Sequence, residues 1–265
     1  MASTYVDSFS LKGHSHDRCE DNSGHNSSGI AGVADGCSAV YSADGKRIKN
    51  ARTDLGSAAV AAHFTSGATI VPYMCDKAEY YQPMNAVVLH RLRSLVNFAV
   101  HAGVKHARYT TVGSVELYGN NKIAAVMAGD GAILYCEKGS NKFMGERIGF
   151  EARPRYPVHD GSSELPYAVD IDVDLNASAR QKEQYPVIRY FDIDKVSAVA
   201  VVTDGLFSFR TAKYEPFDAL PVFRDIKGLR GEWCVRHLKG VCRELAAQGI
   251  VHEDDISIAG ISIIE

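Results

Sequence analysis

The sequence predicts an α+β fold in which antiparallel sheets carry helices on their outer faces. Three observations lead there. Apolar runs of strand length recur at residues 29–34, 196–202 and 258–264. Two helical patterns follow one another at residues 53–65 and 85–102, and a third lies at 229–247. In the middle of the chain, Gly- and Asp-rich turns rather than helices separate the strands, which favours antiparallel neighbours.

Taken in order, residues 5–11 alternate well enough for a first strand. Residues 13–28, crowded with Gly, His, Asp, Asn and Ser, read as loop. Residues 29–34 read as a buried strand broken by the turn pair Asp35-Gly36. In the first helix Leu55, Ala58, Ala59, Ala62 and Phe64 lie near one face, and Thr53 or Asp54 can cap it. In the second, Val88, Leu92, Leu95, Val96 and Ala99 recur at helical spacing, with Asn85 as cap and Gly103 as stop. Residues 110–117, 122–128 and 132–137 read as an antiparallel meander, turning at Gly119-Asn120-Asn121 and Gly129-Asp130-Gly131. Residues 140–194 are less regular, and 160–184 read as a long surface excursion. A strand at 196–203 ends in Asp204-Gly205. A short helix is expected at 215–223 and a longer one at 229–247, stopped by Gly249. The acidic turn Glu253-Asp254-Asp255 precedes a last strand at 256–264.

A chain of 265 residues buries a sizeable core without disulfides. No repeat or linker divides it, so it reads as a single domain over residues 1–265. Lys and Arg number 29 against 32 Asp and Glu, a net charge of −3. That balance argues against a nucleic-acid partner. The apolar runs are far shorter than the roughly 20 residues of a membrane span, so no membrane partner is expected. Residues 1–10 lack the basic-then-apolar pattern of a secretory leader. Six cysteines without a CxxC pair argue against a zinc site or a disulfide framework and for reduced thiols in a cytoplasmic protein. A monomer is expected.

The acids carry the functional information. Asp35, Asp204 and Asp254 each lie at an end of a strongly apolar strand, and Asp35 and Asp204 are each followed by Gly. Glu20-Asp21 lie in the first loop and Asp130 in a strand-to-strand turn. A single Asp-Gly is ordinary turn chemistry. The set is different: if the strands lie side by side, the acids converge on one rim, and converging carboxylates cannot all ionise without a cation. Oxygen ligands of this kind suit Mg²⁺ or Mn²⁺.

These residues carry a resemblance. Arg18-Cys19-Glu20-Asp21-Asn22, Gly32-Val33-Ala34-Asp35-Gly36, Thr110-Thr111-Val112 followed by Ala128-Gly129-Asp130-Gly131, Val202-Thr203-Asp204-Gly205-Leu206 and Asp254-Asp255-Ile256-Ser257 come in the order of five short motifs. Together they resemble the metal-dependent serine/threonine protein phosphatases (the PPM, or type 2C, family), nearer to its bacterial or phage-type members. The matches span residues 12–264.

The resemblance implies a four-layer α/β/β/α sandwich of two antiparallel sheets, with a binuclear Mn²⁺ or Mg²⁺ centre at one end. It implies that Asp35 bridges the two cations and that Asp204 and Asp254 complete one set of ligands. Glu20 and the Gly36 carbonyl serve the other, directly or through water. Asp21 is then an acid close to the metals or their waters, and Asp255 supports from behind. The implied reaction is hydrolysis of phosphoserine and phosphothreonine in a phosphorylated protein, by in-line attack of a metal-activated water. Cys37 is not a nucleophile on this reading.

Two departures stand out. The family's phosphate-holding Arg, four residues before the Glu, is replaced by His16; Arg18 or His14, both nearby, is expected to substitute for it in binding substrate phosphate. His16 is expected either to bind phosphate or to donate a proton to the leaving group, though His holds phosphate less well than the bidentate fork of Arg. Where bacterial relatives have an Asp four residues before the Thr-Thr pair, this chain has His106. A third cation site, with Asp130 or Asp255 contributing there or in support, is therefore weak, missing or biased toward Mn²⁺. Residues 140–194 fall where the family carries a variable flap. Arg147, Arg153 and Arg155 in that stretch read as surface charges, with contact to a phosphorylated substrate as the alternative. Two other functions stay open: a catalytically silent binding or regulatory module of the same fold, and a phosphatase of a small non-protein phosphoester.

Overall fold

The computed structural model describes residues 3–37, 52–72, 84–104, 107, 109–119, 121–149 and 186–264. His106, Arg153, Arg155 and the excursion at 160–184 lie outside the described residues.

Two five-stranded antiparallel sheets form the centre. The first has the order β1 (Ser3–Leu11), β12 (Ile256–Ile264), β9 (Val196–Thr203), β6 (Gly131–Glu137) and β7 (Phe143–Ile148). The second has the order β2 (Asp21–Asn26), β3 (Ile30–Gly36), β4 (Thr110–Tyr118), β5 (Lys122–Ala128) and β8 (Val187–Asp192). A two-stranded ribbon joins β10 (Phe209–Arg210) to β11 (Val251–His252).

The central strands read as unbroken apolar runs because both of their faces are covered. In β9, Ala198, Ala200 and Val202 face one apolar cluster while Val199 and Val201 face another. In β5, Ala124, Val126 and Ala128 alternate in the same way with Ile123, Ala125 and Met127. The shared cluster, with Val33, Val115, Ile133 and Ile261, fills the space between the sheets. The outer cluster of the second sheet is closed by α1 (Thr53–Thr65) and α2 (Met84–His101), through Val60, Phe64, Val88, Leu92 and Val96. That of the first sheet is closed by α3 (Leu220–Phe223) and α4 (Trp233–Ala246), through Phe223, Trp233, Leu238, Val241 and Leu245. The layers run helix, sheet, sheet, helix, as the sequence predicts.

Several expectations need correction. The three middle strands are not one meander: β4 pairs with β5, but β6 pairs with β9 and β7 in the other sheet. Gly129-Asp130-Gly131 is the crossing between sheets, made possible by φ of 117° and 155° at its two glycines. Within the stretch read as loop, Asp21–Asn26 forms β2. It is an edge strand of polar residues and glycine, held by pairing to β3 and by α1 above it, so it carries no apolar alternation. Residues 140–194 contribute two strands, β7 and β8. The helix expected at 215–223 is a single turn, and α4 starts four residues later than expected. In α2 the predicted face is the buried one, but the helix starts a residue before Asn85. In α1 it is not: Leu55 is exposed, and Thr53, Gly56, Ser57, Val60, Ala61 and Phe64 are buried. Small residues set that face, because α1 lies so close to the sheet that a Cβ on Gly32 would collide with the Phe64 ring.

The start of α4 is fixed from a distance. Asp7 of β1 is buried, and its Oδ2 accepts the Cys234 N–H at 2.7 Å. Glu232, at the helix cap, makes no side-chain capping bond. Asp7 thus supplies both the acceptor and the negative charge that a helix N-terminus favours. Asp7→Ala is expected to destabilise the fold by about 1–3 kcal/mol, read as a lower urea midpoint with unchanged slope.

Among the described residues, Cys19, Cys136, Cys234 and Cys242 are free thiols. No helix among those residues is long and apolar enough to cross a membrane.

Candidate metal centre

Three strands from two sheets deliver acids to one place. Asp35 is the penultimate residue of β3, Asp130 lies in the crossing from β5 to β6, and Asp204 directly follows β9. Carboxylate oxygens of these three lie within 4.8 Å of one another. The chain turns sharply after Asp204, through a 3-10 turn at Asp204–Phe207. Gly205 permits the turn, because a Cβ there would collide with the Asp255 carbonyl.

Hydroxyls and amides set the acids in place. Thr111 Oγ1 donates to Asp130 Oδ1 at 3.0 Å. Thr203 Oγ1 donates to Asp21 Oδ2 at 2.7 Å and accepts the Ser257 N–H at 2.8 Å, tying β9, β2 and β12 together. Asp21 stands opposite Asp35 in the β2–β3 pairing and is 3% exposed. It therefore stands against Asp35 from inside the fold. Asp255, 1% exposed, accepts the Gly13 N–H at 2.6 Å and also the Glu20 N–H, so it pins the loop that brings Glu20 in. The Glu20 carbonyl accepts the Gly36 N–H at 3.2 Å and the Ser57 hydroxyl. The side chain of Glu20 is less settled: its Oε2 is buried with no hydrogen-bond partner among the described residues.

His16 is clamped by carboxylates. Its Nε2 lies 3.3 Å from Asp254 Oδ1 and its Nδ1 3.1 Å from Asp255 Oδ2. Burial pulls the imidazole pKa down, but Asp255, Asp254 and Glu20 outweigh it and the net shift is upward.

Burial and mutual repulsion outweigh the nearby cationic groups at these acids. Burial first, and then Asp35, Asp130 and Asp254, push the Asp204 carboxyl up to about 9. Burial and the adjacent Asp21 raise Asp35 well above the ordinary range. Burial likewise raises Asp130 and Asp254, against the Thr111 hydroxyl in the first and His16 in the second. Protons or cations must neutralise such a group.

No family model matches the sequence, and no curated protein sequence matches it. Solved structures match by shape. The serine/threonine phosphatase PstP/Ppp of Mycobacterium tuberculosis superposes with a TM-score of 0.52 at 14% identity, covering 99% of both chains. PppA, a key regulatory component of T6SS in Pseudomonas aeruginosa, gives 0.50 at 16% identity over 98% of both chains. A point mutant of a bacterial serine phosphatase gives 0.51 at 12% identity over 100% of this chain and 98% of that one. The chain has the PPM phosphatase fold.

In this PPM fold the sequence-predicted residues separate into groups. Asp35 and Asp204 lie together with Asp130, for which the sequence suggested a third cation site or a supporting place. Asp254 is drawn to His16 instead. Gly36 packs where a Cβ would lie 2.8 Å from the Thr53 carbonyl oxygen. His14 and Arg18 are exposed. Arg18 adds its charge to the field that holds the Asp54 carboxyl low, mainly through Arg52, and so belongs to the α1 side of the loop. Thr203 and Ser57 were not singled out from sequence, since a buried hydroxyl leaves no pattern. Asp130 did leave one: it joins two strands whose ends beside it, residues 123–128 and 131–134, carry only apolar residues and glycine.

Proposed function

We propose that this chain is a metal-dependent phosphatase, a single domain spanning residues 1–265, that hydrolyses phosphoserine and phosphothreonine monoesters. The convergence of Asp35, Asp130 and Asp204 within 4.8 Å carries the reading. The naming of PstP/Ppp as a serine/threonine phosphatase supports the choice of substrate. The donor set fits hard divalent cations such as Mn²⁺ or Mg²⁺: it consists of carboxylates crowded together, and one oxygen of Glu20 is buried without a partner among the described residues.

Asp35, Asp130, Asp204, Glu20 and Asp254, with the Gly36 carbonyl, would hold two such ions. When bound, these ions lower the pKa of a water molecule and neutralise charge on the phosphoryl oxygens. The protein's own groups do the positioning. Asp21 and Thr111 orient Asp35 and Asp130, Asp255 anchors the Glu20 loop, and His16 orients Asp254. Cys19, the thiol beside Glu20, is not poised as a nucleophile: burial pushes it up to about 12, far from thiolate at neutral pH. We further propose a monomer working in the cytoplasm on phosphorylated proteins.

Phosphopeptide hydrolysis tests the substrate class. Release of phosphate from phosphoserine and phosphothreonine peptides in Mn²⁺ or Mg²⁺, abolished by EDTA and slower on phosphotyrosine, is the expected result. Mn²⁺ binding without turnover of any phosphoester would contradict it.

A further inference from the structure

If the site hydrolyses phosphomonoesters, a dianion has to approach a rim built of acids, and some cationic group must hold it there. The residues placed for this by sequence are poorly disposed. His16 is held between Asp254 and Asp255, Arg18 lies toward Asp54, and His14 is exposed with its N–H bonded to the His252 carbonyl at 3.0 Å.

A different strand brings a guanidinium to the centre. At the end of β7, Ile148 pairs with Gly131 and Arg147 with Ala132, so Arg147 stands one pair away from the Asp130 crossing. The chain stays pressed against that crossing: a Cβ on Gly149 would lie 2.8 Å from Asp130 Cα. Arg147 Cζ lies 4.1 Å from the centroid of the Phe207 ring, and Phe207 closes the 3-10 turn that Asp204 opens. Asp204, Asp218 and Asp130 are among the carboxylates acting on its charge. Its side chain is exposed and thus accessible to a ligand.

We propose that Arg147 binds the phosphoryl oxygens of the substrate, with Phe207 as the platform that keeps the guanidinium at the acidic rim. The proposal rests on the phosphatase reading and names the phosphate-holding group of the same site. Arg suits the task because its planar fork donates two parallel N–H bonds to a phosphate. Stacking on an aromatic face orients that fork before the ligand arrives. An ammonium at the same position keeps the charge but loses the fork, so lysine should restore only part of the affinity.

The test compares wild type, Arg147→Ala and Arg147→Lys in Mn²⁺. The readouts are KM and kcat for p-nitrophenyl phosphate, inhibition by inorganic phosphate, direct phosphate binding by calorimetry, and the Mn²⁺-induced shift in Tm. Arg147→Ala is expected to raise KM and weaken phosphate binding by about 10-fold or more, the range of a charge-assisted hydrogen bond. The Mn²⁺-induced shift should be kept or enlarged, because removing a cation near Asp204 and Asp130 does not weaken their hold on the ion, and Arg147→Lys should fall between the two in phosphate binding. Unchanged phosphate binding and unchanged KM in Arg147→Ala would overturn the proposal. If wild type binds phosphate through Arg147 but turns nothing over, the Arg147 assignment stands and the phosphatase reading fails.

Discussion

Asp204→Asn is expected to lower turnover by about 10³-fold or more and, in the same protein, to stabilise the metal-free fold. The two effects share a cause. Asp204 is held among Asp35, Asp130 and Asp254, and burial with that company pushes its carboxyl up to about 9. Without cations, the folded protein must either protonate this acid or endure the repulsion. Asparagine keeps the shape and removes the charge. The gain is on the order of 2 kcal/mol after allowing for the part of the group that meets solvent, a Tm rise of roughly 4–8 °C for a chain of this size. The loss of activity follows because removing one preorganised charged group from a catalytic centre typically costs 10²–10³-fold or more. A side chain that serves only the fold would show the opposite stability sign. Thermal melts in EDTA and turnover in Mn²⁺, on the same two proteins, measure both arms.

The second large effect couples pH and metal. In the metal-free protein Asp21, Asp35, Asp130, Asp204 and Asp254 all have raised pKa values, so the folded state holds protons that the unfolded state releases. For acids shifted upward, that stability is full below the ordinary carboxylate range and is lost as pH climbs toward about 9, the value for Asp204. In EDTA, Tm should therefore fall between pH 5 and 9. Cations need these acids deprotonated, so Mn²⁺ should displace protons and bind more tightly at high pH. At 100 times its dissociation constant, Mn²⁺ is worth about 2.7 kcal/mol, or roughly 5–10 °C in Tm. The Mn²⁺-induced shift should be larger at pH 8.5 than at pH 6. A shift that does not vary with pH would mean that the ion binds elsewhere.

Much of this was legible in the sequence because both faces of the central strands are buried. Residues 122–128, 196–203 and 256–264 read as strands to the residue. The acids at the ends of such runs stood out for the same reason. What stayed hidden depends on partners far away in the chain. Asp21–Asn26 becomes a strand only through its neighbours in the sheet, and the burial face of α1 is set by a glycine on β3 rather than by its own apolar residues. The Gly129-Asp130-Gly131 turn looks the same whether it joins strands of one sheet or crosses between two. That ambiguity kept Asp130 from its central place. Arg147 carried no signal beyond its charge, because its setting comes from Phe207, 60 residues away in the chain.

The most direct test of the central claim is p-nitrophenyl phosphate hydrolysis by the full chain in Mn²⁺, Mg²⁺ or EDTA, with Asp35→Asn alongside. Asp35 lies in the acidic cluster, paired with Asp21 behind it. The account predicts turnover that needs a divalent cation, stops in EDTA, and is lost in the mutant while its fold survives. Turnover that persists in EDTA or in Asp35→Asn, or no turnover in a wild-type protein that binds Mn²⁺, would contradict it.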